Sequence, residues 1–153
     1  MRRADPGAPL RRAGLALVLL LVAPGAAAVA QGGIQARAQA ARAAWAEQRA
    51  ERVIGEGSRI LLQLPGSESR ASLSREQAAR LLQGFFRRAE EVGVRVVAAR
   101  EVREGEGYAE LLRRYRVRGT AEERSQRVLL AYRWDAGRGV WTLVELRVLD
   151  AGD

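Results

Sequence analysis

The chain contains no cysteine, no histidine and no lysine, and each absence removes a class of function. Without cysteine, the protein has no disulfides, no thiol nucleophile and no thiol for lipid attachment. Without histidine or lysine, its serines lack the bases that usually activate a serine nucleophile. Histidine and cysteine are also the commonest ligands of transition metals, so only carboxylates remain as candidate ligands. The composition therefore predicts no metal site and no cofactor, and it favours a non-catalytic protein.

The acidic turn at Glu104 and Glu106 is the candidate cation site that these carboxylates offer. The two side chains flank a glycine, and oxygen ligands in a turn can contact Ca²⁺. The stretch lacks the further oxygen ligands of an EF-hand loop, and its alternative interpretation is a solvated acidic turn. We therefore predict that no metal binds there.

All 26 basic residues are arginine, and the formal net charge is +8. A basic balance can indicate a nucleic-acid or an anionic membrane partner. Here the arginines are interspersed with acidic residues, which is typical of a solvated surface. Arginine in place of every lysine, with abundant alanine and glycine, is also typical of a GC-rich coding bias. We therefore expect no nucleic-acid partner.

The first thirty residues resemble an export signal. Arginines precede an apolar run of 11 residues, Ala13–Ala23, which is short for a membrane span. Pro24 ends this run, and the small residues at positions 28–30 form a cleavage pattern. The sequence predicts a cleavable signal peptide at 1–30 and a periplasmic or secreted protein without membrane attachment. The alternative is an uncleaved membrane anchor.

The mature chain divides into an N-terminal helix, one domain and a short tail. Residues 31–52 are rich in alanine and arginine and predict a helix, whose thin apolar face should hold its second half, from Trp45, more firmly than its first. Residues 53–149 form a single α+β domain. Residues 150–153 are a C-terminal tail.

A strand, a serine-rich loop and a capped helix open the domain. The strand Arg59–Leu64 alternates apolar and polar residues, and a Pro-Gly turn follows it. Ser74 and Gln77 form a capping box, and apolar residues then recur every three to four positions as far as Gly93. The side chains expected to anchor this helix in the core are Leu81, Leu82 and Phe85.

The period changes from 3.6 to two after Gly93, which predicts four consecutive strands. The segment 108–119 also fits a helix, but its flanking glycines and its alternation favour a strand. In the last strand, Val144, Leu146 and Val148 are expected to point inward. The predicted order is α-β-α-β-β-β-β: an α+β fold with a curved antiparallel sheet of four to five strands, packed on a central helix plus an N-terminal helix.

Two stretches suggest a family. "LLQLPGSES…SLSREQAARLLQGFF" and "YRWDAGRGVWTLVELRVL", in this order over about residues 53–149, resemble an exported bacterial family of unknown function, DUF4783. The resemblance implies a cone-shaped domain similar to nuclear transport factor 2 or to cystatin, in which a curved sheet wraps a helix. It implies no activity and no catalytic residues.

Arg113 is the first candidate ligand-binding residue. It falls on the apolar alternation of its strand, where a guanidinium can bind a carboxylate or a phosphate through two hydrogen bonds. The alternatives are a bulge that turns it into solvent, or an internal pair with Glu101 or Glu145.

The other candidate ligand-binding residues are aromatic: Tyr115, Tyr132 and Trp134. Together with Trp141 they can line a pocket mouth or a partner surface, or they can be ordinary sheet packing. A pocket larger than about 300 Å³ near Tyr115 and Trp134 would distinguish the two.

Two hypotheses of function remain. The first is an exported non-catalytic domain, monomeric or homodimeric, that binds a small ligand or a protein partner through the inner face or rim of its sheet. The second is a carboxylate-only enzyme of the proton-transfer type, with Glu101 or Glu145 as a base of raised pKa.

Overall fold

A computed structural model describes residues 26–67 and 71–151. Its elements, in chain order, are α1 (Ala26–Ala46), α2 (Ala50–Ile54), β1 (Arg59–Gln63), β2 (Ala71–Ser74), α3 (Arg75–Phe86), β3 (Ala89–Arg103), β4 (Glu106–Val117), β5 (Glu123–Asp135) and β6 (Val140–Asp150). The α+β class and the strand at 108–119 are confirmed.

One six-stranded sheet has the order β2-β1-β6-β5-β4-β3. Strands β3 to β6 form the predicted antiparallel meander, but β1 joins β6 in parallel, with Leu62 beside Leu146. The prediction of four to five antiparallel strands is therefore wrong. Part of the serine-rich loop is the edge strand β2, whose four residues are too short and polar to show a strand period. Local sequence also carries no signal for the direction of β1.

The helices cover one face of the sheet, here called the inner face; the opposite face is the outer face. Helix α1 packs on β3, β4 and β6, and α3 closes one end beside α2. The largest fully buried apolar side chains form one cluster: Trp45, Phe86, Ile34, Ile54, Ile60, Leu82, Leu111, Leu130, Leu146, Val128 and Val148.

From Ile34 onward, the N-terminal helix is held against the core. Ile34 and Ala38 are fully buried, so the expectation that the first half is held less firmly is wrong. Ile34 fits because the facing residue is Gly107, where an added β-carbon would overlap the Ile34 side chain. The predicted helix also breaks before α2. At the break, Gln48 has a φ of 55°, and its side-chain amide donates hydrogen bonds to the carbonyls of Phe86 and Ala89.

Helix α3 begins as predicted and ends sooner. The amide of Gln77 donates to Oγ of Ser74 over 3.3 Å, and the amide of Ser74 donates to Oε1 of Gln77 over 3.0 Å. The helix stops at Phe86, because the residues from Ala89 onward belong to β3. The sequence-based prediction extended this helix to Gly93, and that error misplaced its apolar stripe. The buried anchors are Leu82 and Phe86, whereas Phe85 is half-buried and Leu81 is 53% exposed.

A bulge changes the inward-facing residues of β6. The register of β5 with β6 shifts between Ala131 and Tyr132, and Val144 is the extra residue on β6. Trp141 and Leu143 point inward before it, and Leu146 and Val148 after it. Because a bulge reverses the alternation, the inward position predicted for Val144 is wrong.

Residues 13–23, the apolar run of the predicted signal peptide, lie outside the described residues. Helix α1 begins at Ala26, so the predicted cleavage point before Gln31 falls within this helix. Among residues 26–67 and 71–151, no helix has the length and apolar character needed to cross a bilayer. Export stays a prediction.

Candidate functional site

Strand β4 places Arg113 on the inner face. Ala109, Leu111 and Arg113 alternate with half-buried residues, and all three are fully buried. The position in the apolar alternation is therefore the one that the sequence predicted. A fully buried arginine needs partners for its charge and its donors.

Glu91 on β3 supplies those partners. Nε of Arg113 donates to Oε1 of Glu91 over 3.2 Å, and Nη2 donates to Oε2 over 2.9 Å. Nη1 donates to Oε1 of Gln126 over 3.2 Å, and Nε2 of Gln126 donates to Oδ1 of Asp150 over 3.0 Å. The ion pair thus continues into a chain of hydrogen bonds that reaches β6.

Sequence reasoning gave an internal pair as one alternative for Arg113 and named Glu101 or Glu145 as its partner. Glu91 was missed because the predicted helix ran to Gly93 and placed this residue on its polar side. In the structure, Glu91 lies on the edge strand β3, opposite Tyr115 of β4. The signal that identifies it is the strand register, which depends on where α3 ends.

Three aromatic rings surround the guanidinium. Its Cζ lies 4.4 Å from the ring centroid of Tyr115, 4.9 Å from that of Phe85 and 5.5 Å from that of Trp45. A cation near a ring face gains electrostatic energy, and more when water is excluded. Trp45 in turn packs edge-on against Phe86, at 4.9 Å between centroids. The rings therefore fix the guanidinium and leave its in-plane donors for hydrogen bonding.

Burial and charge act in opposite directions on Glu91. Burial raises the pKa of its carboxyl group, and the neighbouring Arg113 opposes this rise. The indole N–H of Trp45 also faces the carboxylate and opposes the rise. That nitrogen, Nε1, is nevertheless buried without a hydrogen bond of good geometry. This donor of the cluster thus faces an acceptor without forming a well-aligned hydrogen bond.

The remaining candidate residues, Tyr132 and Trp134, lie elsewhere. Tyr132 pairs with Gly107 on β4, six residues from Arg113 along the strand, or about 20 Å. Tyr132 is buried, which raises the pKa of its hydroxyl group. Trp134 is 36% exposed and contacts Trp141 edge-on, at 5.4 Å between centroids. The structure therefore separates the four predicted residues into two groups.

The two carboxylates of the enzyme hypothesis are also apart. Oε1 of Glu101 accepts a hydrogen bond from the amide of Gly105 over 2.9 Å, which holds the β3–β4 turn. Glu145 lies on the outer face, 4.0 Å from Nε of Arg147. Neither side chain reaches the Arg113 cluster.

The outer face carries an open cleft of about 680 Å³ that crosses β3 to β6. It lies on the opposite side of the sheet from Tyr115 and Trp134, where a pocket larger than about 300 Å³ would have favoured ligand binding. Beside Tyr132, the inner face has a space of only about 30 Å³. Charged residues of both signs line the outer cleft: Arg100, Arg103, Arg133, Glu106, Glu110 and Glu145.

A second arginine–glutamate pair lies at this cleft. Nε of Arg127 donates to Oε1 of Glu110 over 2.7 Å, and the hydroxyl of Tyr108 donates to Oε2 over 2.9 Å. The hydrogen bond from Arg127 lowers the pKa of Glu110, and burial raises the pKa of Tyr108. Sequence reasoning missed this cluster because it followed the apolar side of β4, and these residues occupy the other side.

No protein-family model matches the sequence, and no curated protein is significantly similar to it. Among solved structures, a ketosteroid isomerase-like protein from Erwinia carotovora atroseptica has a TM-score of 0.68 and 15% identity, covering 79% of this chain and 95% of its own. A DUF4783 family protein from Bacteroides uniformis has a TM-score of 0.63 and 12% identity, covering 75% and 97%. A putative calcium/calmodulin-dependent protein kinase II association domain from Xanthomonas campestris has a TM-score of 0.56 and 14% identity, covering 75% and 83%.

These similarities show the class of fold, which is the α+β fold of the ketosteroid isomerase-like protein. Within that class, the predicted resemblance to DUF4783 is confirmed at the level of the fold. TM-scores of 0.63 and 0.68 establish a shared fold, and identities of 12 to 15% leave the function to be argued from this chain's own residues.

Proposed function

We propose that this chain is a non-catalytic association domain, in which two copies pair through the outer faces of their sheets. The inner-face position that the sequence suggested for a ligand is filled by Arg113 and its own partners. The outer cleft is lined by six charged side chains, whereas small-molecule pockets are predominantly apolar. A protein partner of mixed charge suits such a surface better than a small ligand does.

The register of the sheet supports a second copy as the partner. Three rows of outer-face residues cross β4, β5 and β6. In this strand order they are Tyr108–Ala131–Glu145, Glu110–Leu129–Arg147 and Leu112–Arg127–Leu149. In each row, the residue on β4 is chemically complementary to the residue on β6.

Between β4 and β6, such a pattern is complementary to itself. A twofold axis along β5, between two sheets placed face to face, exchanges the positions of β4 and β6. Glu110 of one copy then faces Arg147 of the other, and Leu112 faces Leu149. The hydroxyl of Tyr108 faces the carboxylate of Glu145. Sheets packed face to face keep their strands within about 30°, so these rows remain in contact. This complementarity is the observation that carries the proposal.

One structural neighbour adds support. The Xanthomonas protein that shares this fold is named as an association domain. The enzyme hypothesis has less support, because the carboxylate of Glu101 is engaged in a turn and Glu145 lies on the outer face.

Two charge reversals test the pairing. In either Glu110→Arg or Arg147→Glu, like charges face each other at two symmetric contacts, so we expect each variant to be monomeric. When the two variants are mixed, Arg at 110 faces Glu at 147 and Glu110 faces Arg147, so a heterodimer should form. Sedimentation equilibrium measures each state, and Arg80→Glu on α3 is a matched charge reversal away from the sheet that should leave the dimer intact.

The expected loss for each single variant is on the order of 100-fold in the dimer dissociation constant, about 3 kcal/mol. A wild-type protein that stays monomeric at all concentrations would overturn the proposal. So would a mixture of the two variants that remains monomeric.

A further inference from the structure

We infer that Arg113 and its aromatic walls form a binding site for a small monocarboxylate, which Glu91 of the same chain fills in this structure. The site lies on the inner face. It is therefore independent of the association proposed for the outer face, and the two can fail separately.

The guanidinium presents the geometry that recognises a carboxylate. Nε and Nη2 of Arg113 donate in parallel to the two oxygens of one carboxylate, over 3.2 and 2.9 Å. This bidentate contact is the specific mode by which arginine binds carboxylates. The rings of Tyr115, Phe85 and Trp45 lie within 5.5 Å of the guanidinium carbon, and they offer an apolar wall to a short aliphatic group.

One donor of the cluster, Nε1 of Trp45, lacks a hydrogen bond of good geometry, which points to a ligand other than Glu91. Nε1 of Trp45 is fully buried, faces the Glu91 carboxylate and makes no hydrogen bond of good geometry. A carboxylate has about four acceptor positions. The Glu91 carboxylate is tethered to its own strand, and the indole N–H that faces it makes no hydrogen bond of good geometry to it. An untethered carboxylate is free to shift toward Trp45 while keeping both contacts to Arg113.

The backbone that carries Glu91 is the irregular part of an edge strand. Within residues 26–67 and 71–151, strand β3 has a neighbour on one side only, and its register with β4 shifts between Glu91 and Gly93. Val92, at the shift, is exposed. Edge bulges are the positions where a strand can redirect a side chain with little disturbance to the sheet.

The space that Glu91 vacates sets the size of the ligand. Truncation to alanine removes one methylene and the carboxylate, which is the volume of acetate. We therefore expect Glu91→Ala to bind acetate saturably, measured by calorimetry or by the rise of the thermal midpoint against sodium chloride of equal ionic strength. Glu91→Gln is the matched control, because its amide refills the same space and should abolish acetate binding. The double variant Glu91→Ala/Arg113→Met lacks the anchor and should also fail to bind.

Wild-type protein should bind acetate more weakly than Glu91→Ala, because Glu91 competes for the same donors. If Glu91 leaves the site about 1% of the time, wild-type protein binds acetate on the order of 100-fold more weakly than the emptied site does. In the wild type, the ¹⁵N-indole signal of Trp45 should shift with acetate and remain unchanged with chloride. This signal reports the Trp45 donor, which a purely structural ion pair would leave unaffected.

If Glu91→Ala does not fold in chloride, its refolding yield in acetate replaces the binding measurement. Recovery of folded protein in acetate alone supports the site. The inference is overturned if acetate neither binds nor refolds Glu91→Ala, or if Glu91→Gln and the double variant respond to acetate as Glu91→Ala does. It is also overturned if the wild-type Trp45 signal is unaffected by acetate.

Discussion

The two faces of the sheet each hold an arginine–glutamate pair. Arg113 and Glu91 lie 2.9 Å apart on the inner face, and Arg127 and Glu110 lie 2.7 Å apart on the outer face. Their surroundings differ. The inner side chains are 0% and 6% exposed, and the outer ones 38% and 16%. On the inner face, folding removes both charges from water, which is costly. On the outer face the charges stay partly hydrated, so forming the ion pair costs little. The comparison shows that contact distance does not determine what an ion pair contributes.

The largest expected difference comes from breaking each pair in the same way. Arg113→Met should lower the free energy of unfolding by about 3–5 kcal/mol, because Glu91 is left buried without a partner. In the monomer, Arg127→Met should cost about 0–1 kcal/mol, since the outer face is open there and water replaces the lost partner of Glu110. Urea unfolding of both variants measures the difference. Equal losses would mean that the two faces do not differ in the way described.

The next expected effect is a difference between two neighbouring phenylalanines on the inner face. Phe86→Ala should cost about 3–5 kcal/mol, because this ring is fully buried and packs against Trp45. Phe85→Ala should cost less, since Phe85 is half-buried and mainly covers the Arg113 guanidinium. The two unfolding curves, compared under identical conditions, check the order. A larger loss for Phe85→Ala would contradict it and restore the anchor that the sequence suggested.

The smallest expected effect is a difference in pH dependence. The folded-state pKa of Glu91 is raised, so its contribution to stability is present below the ordinary value near 4.5 and is lost as pH rises through the folded-state pKa. The pKa of Glu110 is lowered, so its contribution is present above 4.5 and is lost as pH falls through the folded-state pKa.

Glu91→Gln and Glu110→Gln separate these two contributions. Urea unfolding between about pH 3 and about pH 7 should show the advantage of wild type over Glu110→Gln shrinking on acidification. The advantage of wild type over Glu91→Gln should instead shrink as the pH rises. If both differences in the free energy of unfolding change in the same direction with pH, burial does not control the titration of Glu91.

Local patterns predicted much of the fold, because they reflect local physical chemistry. The capping box at Ser74 and the alternation of β4 depend on residues a few positions apart, and both are confirmed. The parallel pairing of β1 with β6 depends on residues more than 80 positions apart, and no local pattern encodes it.

The candidate site shows the same limit. Arg113 was predicted on the inner face from its own strand, whereas its partner Glu91 depends on the end of α3 and the register of β3. An error of a few residues in the helix boundary was enough to hide it. The complementary rows on the outer face were equally out of reach, since they require the registers of three strands together.

Gly107 has a consequence for how relatives of this chain are compared. Because Ile34 occupies the place of a β-carbon at this position, the N-terminal helix can join the core only where the facing residue has no side chain. The amino acid aligned with Gly107 is therefore a marker of domain boundaries. A homologue with glycine there is expected to count the helix as part of its folding unit. In a homologue with a larger residue, the corresponding segment is expected to be free to diverge or to be lost.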